Sequence, residues 1–253
     1  MTKHANDEAM GYLCVMDKRK KNLFRQRLHY LWRGNFHGVS ANWLAKHSEM
    51  LFSSVAEMFL HQNLPVALDS KLLSQGESVF KKILAEKSGA NYAKNFDCEI
   101  GLASFLHAYV IQYQPKVVVE TGVANGITTN VIMHALAQVG GTLHSFDVDP
   151  KTENVYHGSG DWKFHLLTGE FERDLKRQIS EIGDVNLWIH DSNHGYQWQS
   201  FEYELAKKSL SRGGLLVSDD IDSSTAWGLA SRDSFDRSFG IFDNRKFFGV
   251  ATF

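Results

Sequence analysis

The chain has 253 residues and a formal net charge of −2, with 43% hydrophobic and 22% charged residues. This balance is typical of a globular protein, and it excludes a broad electrostatic surface for nucleic acid or an anionic membrane. Two cysteines, Cys14 and Cys98, make no disulfide framework, so a reduced cytoplasmic setting is expected. The polar N-terminus and the lack of a long uncharged apolar run predict neither a signal peptide nor a membrane span.

Residues 1–96 are predicted to form a mainly helical extension that caps the domain after it. The basic run at residues 18–21 precedes the apolar segment Leu23–Trp32. We interpret this run as a solvated helix start, and the alternative is a patch that contacts RNA or phosphate. The extension contains no catalytic motif, so its expected role is to choose the substrate or to cover the edge of a sheet.

Two further helices are predicted in this extension. Apolar residues at helical spacing predict a helix from Ser40, as its N-cap, to about Gln62. Pro65 breaks that pattern, and the next helix is predicted over Ser70–Lys87. Aromatic residues such as Trp32 and Trp43 are compatible with a homo-oligomer interface or a lid.

From residue 97 the pattern alternates between helices and strands. Helices are predicted over residues 97–112, 129–138, 170–182, 197–210 and 224–233. Strands are predicted over residues 116–120, 142–147, 162–167, 185–190 and 215–218. Repeated β-α units with short connections predict an α/β fold with a doubly wound, mostly parallel, Rossmann-like sheet over residues 97–253. Asp243-Asn244 predicts the turn of a C-terminal antiparallel hairpin between residues 238–242 and 246–253.

The first strand of this region runs into a glycine-containing turn and then a helix. That arrangement holds nucleotide-like ligands in open α/β sheets. The motif, acid-x-Gly-x-x-x-Gly-x-Thr, differs from the Gly-x-Gly-x-x-Gly of dinucleotide-binding enzymes, so a dehydrogenase is the least favoured interpretation. The candidate cofactor-binding residues in this motif are Glu120, Thr121, Gly122, Asn125, Gly126 and Thr128.

Two later strand ends complete the predicted ligand site. Asp147 ends an apolar strand, where its carboxylate can accept hydrogen bonds from a ribose diol; the alternative is a helix or turn cap. The following strand ends near Gly169 and Phe171, against which an adenine ring can lie. These three residues are therefore added to the predicted cofactor contacts.

Acidic residues also follow the last two strands. Asp191 comes after residues 185–190, and Asp219 and Asp220 come after residues 215–218. Three clustered carboxylates repel one another unless a cation lies among them, and Mg²⁺ prefers such oxygen ligands. The sequence therefore predicts a metal site of Asp191, Asp219 and Asp220. The alternative is that these residues cap helices and turns.

These motifs, in this order and spacing, resemble the class I S-adenosylmethionine (SAM)-dependent methyltransferases over residues 97–253. The last two motifs are similar to a small bacterial branch tied to sugar or natural-product pathways, and to the metal-dependent O-methyltransferases of the catechol type. Asp220 stands where catechol enzymes have asparagine, and His194 stands where they have lysine. The resemblance implies SAM, and Mg²⁺ held by the three acids.

The implied activity is methyl transfer to a small hydroxylated acceptor, such as a sugar or a secondary metabolite. Asp191, which is also a predicted cofactor contact, and His194 are the predicted catalytic residues. His194 is a candidate general base because imidazole titrates near neutrality, and its alternative role is to cap the next helix. His190 is predicted to be a satisfied buried histidine and Trp198 a core residue. Two other functions stay open: a cephalosporin-hydroxylase-like enzyme on the same core, and a SAM-binding protein without catalysis.

Overall fold

The computed structural model describes residues 38–61, 64–87, 92–93 and 96–253. The basic run at residues 18–21, the segment Leu23–Trp32 and Cys14 lie outside them. The strands are β1 (Met50–Phe52), β2 (Val117–Thr121), β3 (Thr142–Asp147), β4 (Asp161–Leu166), β5 (Val185–His190), β6 (Leu210–Ser218), β7 (Arg237–Asp243) and β8 (Lys246–Thr252). The α-helices are α1 (Ala41–His47), α2 (Val55–Met58), α3 (Ser70–Glu86), α4 (Ile100–Tyr113), α5 (Ile127–Val139), α6 (Phe171–Ile182), α7 (Tyr196–Ser209) and α8 (Ala226–Asp233). A 3₁₀ helix covers Pro150–Asn154.

All of these strands form one sheet in the order β1-β7-β8-β6-β5-β2-β3-β4. Five neighbouring strands of the sheet, β4, β3, β2, β5 and β6, pair in parallel. Strand β8 is antiparallel to both of its neighbours, β6 and β7. The predicted mostly parallel, doubly wound sheet and its C-terminal hairpin are confirmed. The carboxyl ends of β2, β3, β5 and β6 therefore meet at one edge of the sheet, where ligands bind in such folds.

The predicted long helix from Ser40 to Gln62 is wrong. Ser40 does cap α1, because its side chain accepts a hydrogen bond from the backbone N–H of Trp43 at 3.1 Å. The helix ends at His47, however, and Met50–Phe52 forms an edge strand parallel to β7 before Ser54 caps α2. Backbone pairing with a distant strand outweighs the local helical periodicity of this segment.

Trp43 packs within the chain. Its ring stacks on the imidazole of His47 with ring centroids 4.0 Å apart. It also lies against α8, where a Cβ added at Gly228 would be 2.6 Å from the Trp43 ring. A role of this half-buried residue in an oligomer interface or a lid stays a prediction.

Helices cover both faces of the sheet. One core cluster contains buried side chains of α3, α4 and α5, and the other contains those of α1, α6, α7 and α8. The start of α4 is fixed by the hairpin, since the Asp243 carboxylate accepts hydrogen bonds from the backbone N–H groups of Gly101 at 3.0 Å and Leu102 at 2.6 Å. Across the described ranges, no helix combines the length and apolar character needed to cross a membrane.

Candidate functional site

The glycine loop after β2 is packed directly against the loop after β5. Gly122 has φ +85°, and its N–H donates to the carbonyl of Phe146 at 2.8 Å. A Cβ at this position would be 2.1 Å from the carbonyl oxygen of Asp191. Only glycine provides both the positive φ and the missing side chain that this contact needs.

The second glycine of the motif begins α5. Gly126 has φ +74° and is the N-cap of this helix, which has no side-chain cap hydrogen bond. A Cβ there would be 2.4 Å from the Val155 side chain. The N–H groups of the first turn of α5 thus lack a side-chain acceptor, an arrangement suited to an anionic group of a ligand. Thr128, in this first turn, is buried beside the thiol of Cys98.

Asp147 holds the glycine loop in shape. Its carboxylate accepts hydrogen bonds from the backbone N–H groups of Val123 at 2.8 Å, Ala124 at 3.2 Å and Asp149 at 2.9 Å. Asp147 therefore caps a turn, as in the alternative raised from sequence. It also lies at the ligand-binding edge of the sheet and remains partly exposed, so its carboxylate is available to hydroxyl donors.

The side chain of Asn125 joins the glycine loop to the N-terminal segment. Its Oδ1 accepts from the backbone N–H of Tyr92 at 3.0 Å, and its Nδ2 donates to the Tyr92 carbonyl at 3.1 Å and to Asp97 Oδ1 at 2.9 Å. The Tyr92 hydroxyl donates to Asp149 Oδ2 at 2.6 Å. Both polar atoms of the Asn125 side chain therefore form hydrogen bonds with other residues of the chain.

Glu120 is fully buried among hydroxyl groups. Its Oε2 accepts from the hydroxyls of Thr129 at 2.8 Å and Ser145 at 2.6 Å, while its Oε1 has no hydrogen-bond partner among the described residues. Trp162 donates to the Ser145 hydroxyl at 2.9 Å. Burial raises the pKa of Glu120 to about 7, against the lowering effect of the two hydroxyl donors.

This raised pKa predicts a pH-dependent stability. Because the folded protein binds the Glu120 proton more tightly than the unfolded chain, the free energy of unfolding falls as the pH rises from about 4.5 to about 7. Glu120→Gln removes the buried charge and is expected to add about 1–3 kcal/mol to the free energy of unfolding at pH 8. Urea unfolding at pH 5 and pH 8 measures the change. The exposed Glu153→Gln is the control, and an equal gain in both variants would contradict the assignment.

The three predicted acids come together, with a lysine among them. Lys246 Nζ donates to Asp219 and, at 3.4 Å, to Asp220 Oδ2. His194 Nε2 lies 3.3 Å from Asp220 Oδ2 and 3.9 Å from Asp191 Oδ1. The Lys246 side chain is only 3% exposed, so water does not compensate its charge, and the carboxylates do.

This arrangement does not fit the predicted Mg²⁺. A divalent cation needs the carboxylate oxygens that the Lys246 ammonium contacts, and the two cations would repel each other in a buried site. No group of three or more His, Cys, Asp or Glu residues in the described part of the chain has the arrangement of a metal site. The three acids named from the sequence lie together, and Lys246 is the cation that contacts two of them.

The buried charges shift one another's pKa values. Burial, followed by the charge of Asp219, raises the pKa of Asp191 well above its usual value. Burial also acts to raise the pKa of Asp220, but Lys246 and His194 outweigh it, so the pKa is lowered. Burial lowers the pKa of His194, against the opposing charge of Asp220. The imidazole of His194 is consequently neutral at neutral pH and can accept a proton.

Glu202 of α7 is a further buried acid, and its hydrogen bonds position the loop after β5. It is fully buried and accepts hydrogen bonds from donors on three elements. These donors are the Thr121 hydroxyl at 2.5 Å, His190 Nδ1 at 2.9 Å, the Ser192 hydroxyl at 2.7 Å and Trp198 Nε1. His190 is buried as predicted, although its Nε2 has no partner among the described residues. Trp198 packs partly on the core, also as predicted.

The predicted adenine contacts lie farther along the sheet edge. Gly169 has φ +66°, and a Cβ there would meet nothing within 4 Å. Phe171 begins α6 and is 42% exposed. It lines an open cavity of about 570 Å³ with Trp198 and charged residues of α6. None of the glycine-loop residues lines this cavity.

Sequence reasoning missed Lys246 and Glu202. Lys246 begins the apolar strand β8, where a lysine beside Phe247 and Phe248 is an unexpected charge. Glu202 lies four residues after Trp198, on the same face of the helix as this predicted core residue. A charged residue at a predicted core position signals a buried partner, and that signal was present for both.

Comparison with known proteins agrees with this geometry. Residues 119–221 match the family described as a methyltransferase domain. The O-methyltransferase TomG from Streptomyces achromogenes, involved in tomaymycin synthesis and solved in complex with SAM, has a TM-score of 0.50 and 11% identity, covering 79% of this chain and 96% of that chain. SAH-bound methyltransferase PaMTH1 from Podospora anserina has a TM-score of 0.50 and 11% identity, covering 84% of this chain and 93% of that one. At these identities the likeness shows the fold. A search of curated proteins gives no match.

Proposed function

We propose that the protein transfers a methyl group from SAM to a hydroxyl oxygen of a small molecule, because its residues 119–221 match the family described as a methyltransferase domain. The observation that carries the proposal is the glycine loop, whose Gly122 is pressed against the Asp191 carbonyl beside a partly exposed Asp147. TomG, an O-methyltransferase with this fold, supports oxygen as the acceptor atom. A sugar or a secondary metabolite is the acceptor class we propose.

The residues at the sheet edge suit the parts of SAM. The loop from Gly122 to Gly126 and the open N-terminus of α5 would hold its methionine end. The Asp147 carboxylate would accept hydrogen bonds from the ribose hydroxyls, and Gly169 and Phe171 would border the adenine. Glu120, Thr121, Asn125 and Thr128 would support the loop from behind, through the contacts with neighbouring elements described above.

His194 is the residue we propose for proton removal. When bound, SAM supplies a methyl group already activated on a sulfonium, so the protein must mainly align the acceptor oxygen and take its proton. The His194 side chain is 20% exposed, and its Nδ1 is buried with no partner among the described residues. Asp191 and Asp220 flank its Nε2 and would stabilise the imidazolium after proton transfer. The divalent metal predicted from the sequence has no part in this proposal.

Labelled SAM tests the activity directly. The full chain is incubated with methyl-labelled SAM and a panel of sugars and phenols, and a labelled methyl ether is the expected product. His194→Gln is expected to lose transfer while binding SAM as tightly as the unmodified protein. SAM binding without transfer to any acceptor would favour a non-catalytic binding protein, and an oxidised product without a methyl group would favour the hydroxylase-like alternative.

Asp147→Ala is expected to weaken SAM binding about 10- to 100-fold, because hydrogen bonds from hydroxyls to a carboxylate contribute roughly 1.5–3 kcal/mol. Calorimetric titration measures this change. The matched control is Asp161→Ala, which removes an exposed carboxylate at the start of β4. Equal affinities of the two variants would show that Asp147 acts only as a turn cap.

A further inference from the structure

We propose that Lys246 is a built-in cation that replaces a divalent metal ion at the acidic cluster of Asp191, Asp219 and Asp220. The cluster therefore holds its shape with no metal, and methyl transfer proceeds in the presence of chelators. Only this last statement rests on the proposed function. Lys246 is a positioning residue, since it acts by orienting Asp219 and Asp220.

The topology of the sheet places Lys246 beside the acidic cluster. Strand β8 runs antiparallel to β6, with Ser218 opposite Gly249. The first residue of β8 therefore lies beyond the carboxyl end of β6, where Asp219 and Asp220 follow. The backbone N–H of Ile221 donates to the carbonyl of Phe247 at 3.0 Å, so this pairing extends to the residue next to Lys246. The position of the Lys246 ammonium is therefore set by the register of β8, and Lys246 is not a flexible surface residue.

The charges of the cluster agree with this role. Lys246 is 3% exposed, Asp219 1% and Asp220 8%. An ammonium donates three hydrogen bonds and accepts none, and its contacts with both carboxylates satisfy acceptors that a metal would otherwise coordinate. Unlike a bound metal ion, a cation carried on the chain does not dissociate, so metal concentration does not control the cluster.

The test measures Mn²⁺ binding by electron paramagnetic resonance on the full chain stripped with a chelator. The unmodified protein is expected to leave Mn²⁺ free. Lys246→Met, which shortens the side chain by one heavy atom and removes its charge, is expected to bind Mn²⁺ on the order of a hundredfold more tightly, because a repelling charge within a few ångströms is gone. Lys207→Met, at an exposed position of α7, is the control and is expected to behave as the unmodified protein.

Two results would overturn the proposal. One is tight Mn²⁺ binding by the unmodified protein that is lost in Asp219→Asn. The other is a folded Lys246→Met that binds Mn²⁺ no better than the Lys207→Met control. If loss of the ammonium unfolds Lys246→Met, the double variant Lys246→Met/Asp219→Asn restores the net charge of the unmodified cluster. It is then compared with the single variant Asp219→Asn, which lacks the same carboxylate but keeps Lys246, and equal Mn²⁺ affinities of these two variants would also overturn the proposal. Because Mn²⁺ binding needs neither SAM nor an acceptor, these outcomes are separate from failure of the proposed methyl transfer.

Discussion

Gly122→Ala is expected to abolish SAM binding and to lower the free energy of unfolding by about 3 kcal/mol or more. The added Cβ would lie 2.1 Å from the Asp191 carbonyl oxygen and 2.8 Å from Ser192 Cα. Both are backbone atoms, so neither moves aside without displacing the loop after β5. Overpacking of this kind costs roughly 1–3 kcal/mol, and the left-handed φ costs an alanine about 1–2 kcal/mol more.

A second glycine separates the cost of overpacking from the cost of the positive φ. Gly213 of β6 has φ +81°, close to the +85° of Gly122, and an added Cβ there would meet nothing within 4 Å. Gly213→Ala should therefore lose only about 1–2 kcal/mol and bind SAM normally. Urea unfolding and calorimetric titration of both variants give the comparison. Equal losses of stability with SAM binding intact would mean that the loop adapts to the side chain.

Glu202→Ala is expected to be the most destabilising single change at the site, at about 3–5 kcal/mol. Glu202 accepts hydrogen bonds from β2, β5, the following loop and its own helix, so its removal leaves several buried donors unpaired at once. Each buried donor without an acceptor costs roughly 1–3 kcal/mol, and relaxation recovers part of that sum. Because Ser192 and His190 lie beside Asp191, SAM binding is expected to weaken as well.

The neighbouring Glu204→Ala provides the control for Glu202. Glu204 lies on the same helix, is exposed, and accepts a hydrogen bond from the Ser234 hydroxyl at 3.4 Å. Its loss should change stability by less than about 0.5 kcal/mol. Chemical unfolding of the two variants measures the difference. Similar stabilities would show that water enters the Glu202 cavity and satisfies the abandoned donors.

The strands that alternate with helices were predictable because their signal is local. Thr142–Asp147 and Val185–His190 have the predicted bounds, since each is a short run of strand-forming residues ended by a turn signal. The strand in the segment after Ser40 was not predictable, because the apolar residues of this segment fit a helical spacing and an edge strand equally well. Only the presence of β7 at the right distance selects the strand for Met50–Phe52.

The candidate site also has a part that was predictable from the sequence and a part that was not. The sequence by itself determined the glycine loop and the acids at the strand ends, because a parallel sheet brings the carboxyl ends of its strands to one edge whatever their order. Only the tertiary structure decided that Lys246, 27 residues beyond Asp219, stands between the carboxylates where a metal ion was expected. The register of an antiparallel strand and the burial of its first residue depend on the whole sheet, and no local pattern encodes either of them.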